Sequence, residues 1–334
     1  MIERNKQLDG LKGITAIIIL VFHLFCRYLQ IYENNNIEWM SNWGTFGVIV
    51  FILISGLLLG LENTKNKEDE EFELFKYLKK KILRLWGCYI ISITITMVCI
   101  KILGLPGREC SWTDYILNIF FINGFIGKPY VDGAHWYLTT LISIIVVIGI
   151  IRKLKLDDKV WIYCLWLLIV WILRKIGISN ITVLIGGSYL GIAMLGFSLP
   201  KILNENSIQT QKYKWLMLAG LSTFFAITIQ GLSIIVSMIL ALILVMLCLN
   251  KKLWILETQI PLLLAKISYP VYLIHQNIGF VIIRELSKLG KGEYQIYYSI
   301  IASVGTMILA IIIYKIEIIV TNYLKNVSKK KEKI

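Results

Sequence analysis

Charge is scarce in this chain. Asp, Glu, Lys and Arg make up 17% of its 334 residues, against 57% apolar residues and a mean hydropathy of +0.70. That balance excludes an ordinary soluble domain. The six cysteines form no Cys-x-x-Cys pair. Cys26, Cys88, Cys99, Cys164 and Cys248 fall in apolar runs and only Cys110 in a loop, which excludes a disulfide framework and a zinc pattern. A Walker loop, a Ser-His-Asp order and a metal-ligand cluster are missing as well, so no metal is expected. The first apolar run is too long for a signal-peptide core and no small-x-small site follows it, so no cleavable leader is expected. Repeats and extended polar segments are also lacking. The expectation is one membrane-embedded unit over 1–334, without a soluble extracytoplasmic domain.

What remains is a series of apolar runs at or near the roughly 20 residues that cross a hydrocarbon core of about 30 Å. The runs predict an all-α polytopic membrane protein of about ten helices, near 11–32, 43–61, 82–103, 135–151, 159–174, 181–199, 213–230, 232–249, 266–284 and 295–323. Lys and Arg then divide 25 to 9 between the two sides of the membrane, with Lys315 inside the last span. The richer side holds the Lys65–Arg84 loop and the tail 325–334, so the charge bias predicts both termini in the cytoplasm. The net charge of +14 is therefore read as topology. The tail KNVSKKKEKI has few aromatics and suits a membrane surface or solvent, and no nucleic-acid partner is expected.

Two connections stand out. Phe72, Phe75 and Leu78 have the spacing of a short interfacial helix running into the third span, and SWTDYILNIFFINGF, within 104–134, predicts a helix at the opposite membrane surface.

The three histidines, His23, His135 and His275, all sit in or at the edge of expected spans. Ionisable groups are costly there, so function is the default reading, beside the plain alternative of a hydrogen bond between helices. Lys12 and His23 lie eleven residues apart, which puts them within about 20° of one helix face, with the imidazole roughly 16–17 Å deeper. Asp9 falls near the same face. A cation at the mouth and a titratable base at the bottom suit one long polar channel, where a neutral histidine could deprotonate a hydroxyl. Lys81 and Arg84 share a face at the cytoplasmic interface, suited to phosphates or to simple snorkelling; for Lys79 and Lys80 snorkelling is the preferred reading. Ser55 and Gly56 are expected to let the second helix approach the first closely. Pro270 is expected to kink the ninth span, with Tyr272 about one turn from His275.

Taken in order, LDGLKGITAIIILVFH, FILISGLLLG, FKYLKKKILRLW, HWYL and ISYPVYLIH resemble the acyltransferase 3 family of integral membrane acyltransferases over nearly the whole chain. The resemblance implies acetyl-CoA or another acyl-CoA as donor, with no permanently bound cofactor. Its acceptor would be a hydroxyl outside the cytoplasm, on a cell-surface polysaccharide or other glycan. It implies His23 as the catalytic residue with Asp9 orienting the helix mouth, and Lys12, Lys81 and Arg84 as ligands of the CoA phosphates. Where the family's first helix has an arginine, this chain has Lys12, which keeps the charge and loses the planar fork. The resemblance places His135, Trp136, Tyr272, His275 and Glu317 on the substrate side. The Arg-Pro that usually follows the family's last glutamate is missing after Glu317. The bias toward Ile, Lys and Asn suits a bacterial cell membrane. A proton-coupled transporter or flippase using buried His and Glu is the alternative reading.

Overall fold

The computed structural model describes residues 5–35, 37–65, 72–205, 208–290 and 295–331. Of the charged segments expected above, 66–71 and the last three residues of the tail lie outside these. Among the described residues there is no strand. The helices are α1 (Lys6–Phe22), α2 (Tyr28–Tyr32), α3 (Glu38–Lys65), α4 (Leu74–Leu103), α5 (Trp112–Ile119), α6 (Trp136–Lys153), α7 (Val160–Lys175), α8 (Ser179–Leu184), α9 (Leu190–Ile202), α10 (Gln209–Gln230), α11 (Ile235–Leu249), α12 (Gln259–Ile274), α13 (Asn277–Leu289) and α14 (Gln295–Lys331). Helices dominate because hydrocarbon offers no water to backbone amides, which must then be satisfied within their own segment.

Six helices among the described residues are long and apolar enough to cross a membrane: Lys6–Tyr32, Met40–Thr64, Leu74–Leu103, Gly133–Lys153, Leu232–Leu249 and Gln295–Tyr323. The other four expected spans fall on helices that are shorter, less apolar or broken, and these do not meet that measure. α7 has 16 residues, and α10 opens with Gln209, Gln211, Lys212 and Lys214. The sixth expected span is split into α8 and α9 at Gly186, whose φ of 107° only glycine adopts readily. The ninth is split at His275–Gln276. Apolar side chains face outward around the bundle, with Leu232 74%, Val236 67% and Ile319 67% exposed. A soluble monomer would not carry such a surface. The protein is a multi-pass membrane protein.

Glycine contacts set the central packing. A Cβ on Gly56 or Gly60 of α3 would lie 1.9 Å or 2.3 Å from the carbonyl oxygens of Ala193 and Phe197 in α9, and one on Gly196 of α9 would lie 2.1 Å from Leu53 O in α3. These two backbones touch, as small residues permit inside a bilayer. Gly56 thus serves α9 rather than α1, contrary to the sequence expectation. The α1 contact falls to Gly44 and Gly47, which lie against Phe22 and Ile19. On its other side α1 packs on the α12 region through Gly10 against Leu256 and Gly13 against Ala265 and Pro261.

The start of α1 is clamped. Asn5 caps it by accepting from Leu8 N–H and donates to Cys248 O at 2.9 Å. The buried Gln7 amide donates to Glu257 and accepts from Leu253 N–H. α5 begins with a capping box between Ser111 and Asp114, as its S-x-x-D pattern requires.

Replacing Gly56 by Ala should lower the apparent melting temperature in detergent by several degrees and reduce the monodisperse yield. Gly87→Ala, in a helix where a Cβ meets nothing within 4 Å, should be neutral or stabilising by up to about 1 kcal/mol. Equal tolerance of both in fluorescence-detected size-exclusion melts would contradict the packing described for α3 and α9.

Candidate active site

A cavity of about 1060 Å³ runs through the bundle, at the upper end of ordinary ligand pockets. Lys12, Ile19, His23 and Arg27 all border it, so it follows α1 and its continuation for about 22 Å at 1.5 Å per residue. Its walls come from both hydrophobic clusters of the protein, Ile145 from one and Leu138 from the other.

One mouth is basic, with Lys12, Lys80, Lys81 and Arg84 facing Asp9 and Glu62. Lys12 Nζ is 2.8 Å from Asp9 Oδ1, and Lys81 Nζ is 2.5 Å from Glu62 Oε2. Lys80 and Arg84 form no ion pair among the described residues. Four cations against the three carboxyl groups of the lining, Asp9, Glu62 and Glu317, leave net positive charge where an anion would enter. Lys80, assigned from the sequence to snorkelling, borders the cavity as fully as Lys81. Lys79 does not.

Midway lies His23, on a π-helical turn. Over His23–Arg27 the hydrogen bond lengthens, and Tyr28 N–H reaches back five residues to His23 O. Such bulges gather at functional sites because they re-aim side chains without ending the helix. His23 Nδ1 is 2.9 Å from Ile19 O and 3.2 Å from Nε2 of His275. The two rings are nearly perpendicular, with centroids 4.6 Å apart.

These contacts fix the tautomers. A carbonyl can only accept, so His23 Nδ1 carries a proton shared between Ile19 O and His275 Nε2. His275 Nδ1 lies 2.8 Å from Tyr272 O and carries a proton for the same reason, leaving its Nε2 as the acceptor. His23 is therefore left with a bare Nε2 lone pair. His23 is partly exposed and borders the cavity, whereas His275 is fully buried.

The break between α12 and α13 creates this pair. α12 continues through Pro270 and ends five residues later than the kink expected there, at His275–Gln276. Asn277 N–H, which in a continuous helix would bond Leu273 O, donates instead to Asp132 Oδ2 at 2.8 Å. The freed Leu273 O accepts from His135 Nε2 at 2.9 Å. The other Asp132 oxygen accepts from Ala134 N–H, and Asn277 Nδ2 donates to Val131 O. A loop outside the apolar runs thus substitutes side chains for the missing helical partners, as a broken membrane helix demands.

The substrate-side residues are therefore divided. Trp136, Tyr272, His275 and Glu317 border the cavity, together with Asp9, Lys12, His23, Lys81 and Arg84. His135 does not: its ring is buried and holds Leu273 O. Tyr272 OH donates to Ala134 O, Trp136 stacks on Tyr189, and Glu317 lies near the Cys88 thiol. Sequence reasoning missed Tyr137, whose hydroxyl is 2.7 Å from Ser55 Oγ, and Tyr269, which donates to Leu85 O. It also missed Arg27, Arg108 and Gln276 at the mouth far from Lys12. For Arg27 a signal was available, since it lies one turn beyond His23.

His135→Ala should behave as a packing mutant. It leaves a buried carbonyl without a donor, at about 1–3 kcal/mol. Its melting temperature should fall while turnover per folded molecule stays within threefold of wild type. Unchanged stability with lost turnover would reverse this assignment.

The family model of the acyltransferase 3 family, an acyltransferase domain, matches residues 5–315. No curated protein and no solved structure matches the chain. The matched stretch takes in every residue named around the cavity except Glu317, and over nearly its whole length the chain belongs to the acyltransferase 3 family.

Proposed function

We propose that this membrane acyltransferase moves an acetyl or other short acyl group from acyl-CoA to a hydroxyl of an extracytoplasmic glycan. The enclosing membrane is a bacterial cytoplasmic membrane, crossed ten times, with both termini inside. The orientation rests on the 25-to-9 division of Lys and Arg. The basic mouth then opens to the cytoplasm, where acyl-CoA is available.

In this reading the CoA phosphates meet Lys80, Lys81, Arg84 and Lys12, with charge-assisted hydrogen bonds holding the nucleotide at the mouth. The Asp9 and Glu62 carboxylates keep Lys12 and Lys81 extended across it. The pantetheine arm lies along the cavity and carries the thioester toward His23. An acceptor hydroxyl arrives from the other mouth. His23 Nε2 takes the hydroxyl proton as the oxygen attacks the thioester carbon. The C–S bond breaks, and the imidazolium returns the proton to the departing CoA thiolate. Neither substrate crosses the membrane.

The observation that carries the proposal is the shared cavity, bordered by four cations at one mouth and by the open Nε2 of His23 midway. A relay for transport would use the same histidines but gives no reason for the cations opposite them, and family membership weighs against it.

His23→Ala should reduce acyl transfer by about 10²–10⁴-fold, with the melting profile and [¹⁴C]acetyl-CoA binding retained. Arg84→Ala should instead weaken acetyl-CoA binding roughly tenfold, the usual value of one charge-assisted contact. Full transfer by His23→Ala would exclude the mechanism, and unaltered donor affinity in Arg84→Ala would move the nucleotide elsewhere.

A further inference from the structure

The mouth remote from Lys12 carries two guanidiniums that the acyl-transfer reading does not use. Arg27 follows His23 by one turn, and Arg108 comes from the loop after α4. Both border the same cavity as His23 and His275. Both also lie close enough to act electrostatically on the His23 ring. We propose that Arg27 and Arg108 bind an anionic group of the acceptor, a carboxylate or phosphate, and so seat its hydroxyl against His23. This proposal rests on the acyl-transfer reading and names the substrate class for it.

The Arg108 group lies against the backbone at Gly133: its Nη1 is 2.5 Å from the point where a Cβ on Gly133 would sit. The absence of a side chain at Gly133, which itself borders the cavity, is what lets the guanidinium approach the backbone there. Gln276 Oε1 is 3.0 Å from the same point, so an acceptor amide oxygen completes the cluster.

Neither guanidinium forms an ion pair among the described residues. The neighbouring carboxylates are otherwise engaged. Asp132 receives the backbone N–H groups of Ala134 and Asn277, and Glu109 receives that of Gly107. Arg27 gives one donor to Gln30, so most of the ten N–H donors of the pair are free for a ligand. The planar fork of arginine suits a carboxylate or phosphate.

Topology does not account for them, because cations are rare on this side of the membrane. The CoA phosphates do not either. They belong to the cations around Lys12, about 22 Å away along α1.

The test uses membranes of the native cell with the full-length protein, given [¹⁴C]acetyl-CoA, beside membranes lacking it. The labelled product is partitioned between lipid extract and polymer, which distinguishes a lipid-linked phosphate from a carboxylate-bearing glycan. Mass spectrometry then identifies the acylated unit. The expected result is an acetylated sugar carrying a carboxylate or phosphate. Arg27→Gln and Arg108→Gln should each lower product at least tenfold with acetyl-CoA binding unaltered. Arg108→Lys should recover part of the loss, and Gly133→Ala should resemble Arg108→Gln. Label on a neutral unit, or wild-type product from Arg108→Gln, would overturn the proposal. If acetyl-CoA binds but nothing is labelled, the acyl-transfer reading fails first and takes this inference with it.

Discussion

One proton, on Nδ1 of His23, links the fold of this protein to its chemistry. It sits between Ile19 O and the unprotonated Nε2 of His275, and that position leaves the other nitrogen of His23 open to the cavity. The arrangement holds only while α12 stops where it does. If α12 ran on unbroken, Asn277 N–H would return to Leu273 O and Asp132 would lose one of its two backbone partners. His135 would then have no carbonyl to hold. The His23 tautomer is in this way tied to a backbone fault, and the fault is made good by side chains from the loop before α6.

Electrostatics runs along the same axis. Cations border the cavity around Lys12 and again at Arg27 and Arg108, and the rest of the lining includes aromatic and imidazole groups and the Glu317 carboxyl. At the Lys12 mouth two of the four cations are already neutralised by carboxylates, which limits repulsion while the site is empty. A cofactor-sized polyanion can still exchange places with Asp9 and Glu62. At the opposite mouth the guanidiniums have no such partners among the described residues.

Part of the cavity lining could be read in advance. The eleven-residue interval from Lys12 to His23 is helical periodicity, and both border the cavity. Lys81 and Arg84 follow by the same rule. Less could be read where tertiary contacts decide. Hydropathy marks an apolar run and cannot locate an internal stop, so the ninth run looked continuous and the break was expected at Pro270. Asp132 was invisible because its loop looked exposed, although the residue is fully buried. His23 and His275 stand 252 positions apart, and no local pattern announces their meeting. All three histidines sit in or at the edge of apolar runs, and what separates His135 is its place outside the cavity lining, with its ring on Leu273 O.

The account stands or falls on a thioester reaching His23 through the basic mouth. Electron cryomicroscopy of the protein with a non-hydrolysable acetyl-CoA analogue addresses this directly. It should place the phosphates among Lys80, Lys81 and Arg84, and the acyl carbon within hydrogen-bonding range of an acceptor oxygen held by His23 Nε2. Density for the nucleotide at the Arg108 mouth, or an acyl group separated from His23 by packed side chains, would contradict it.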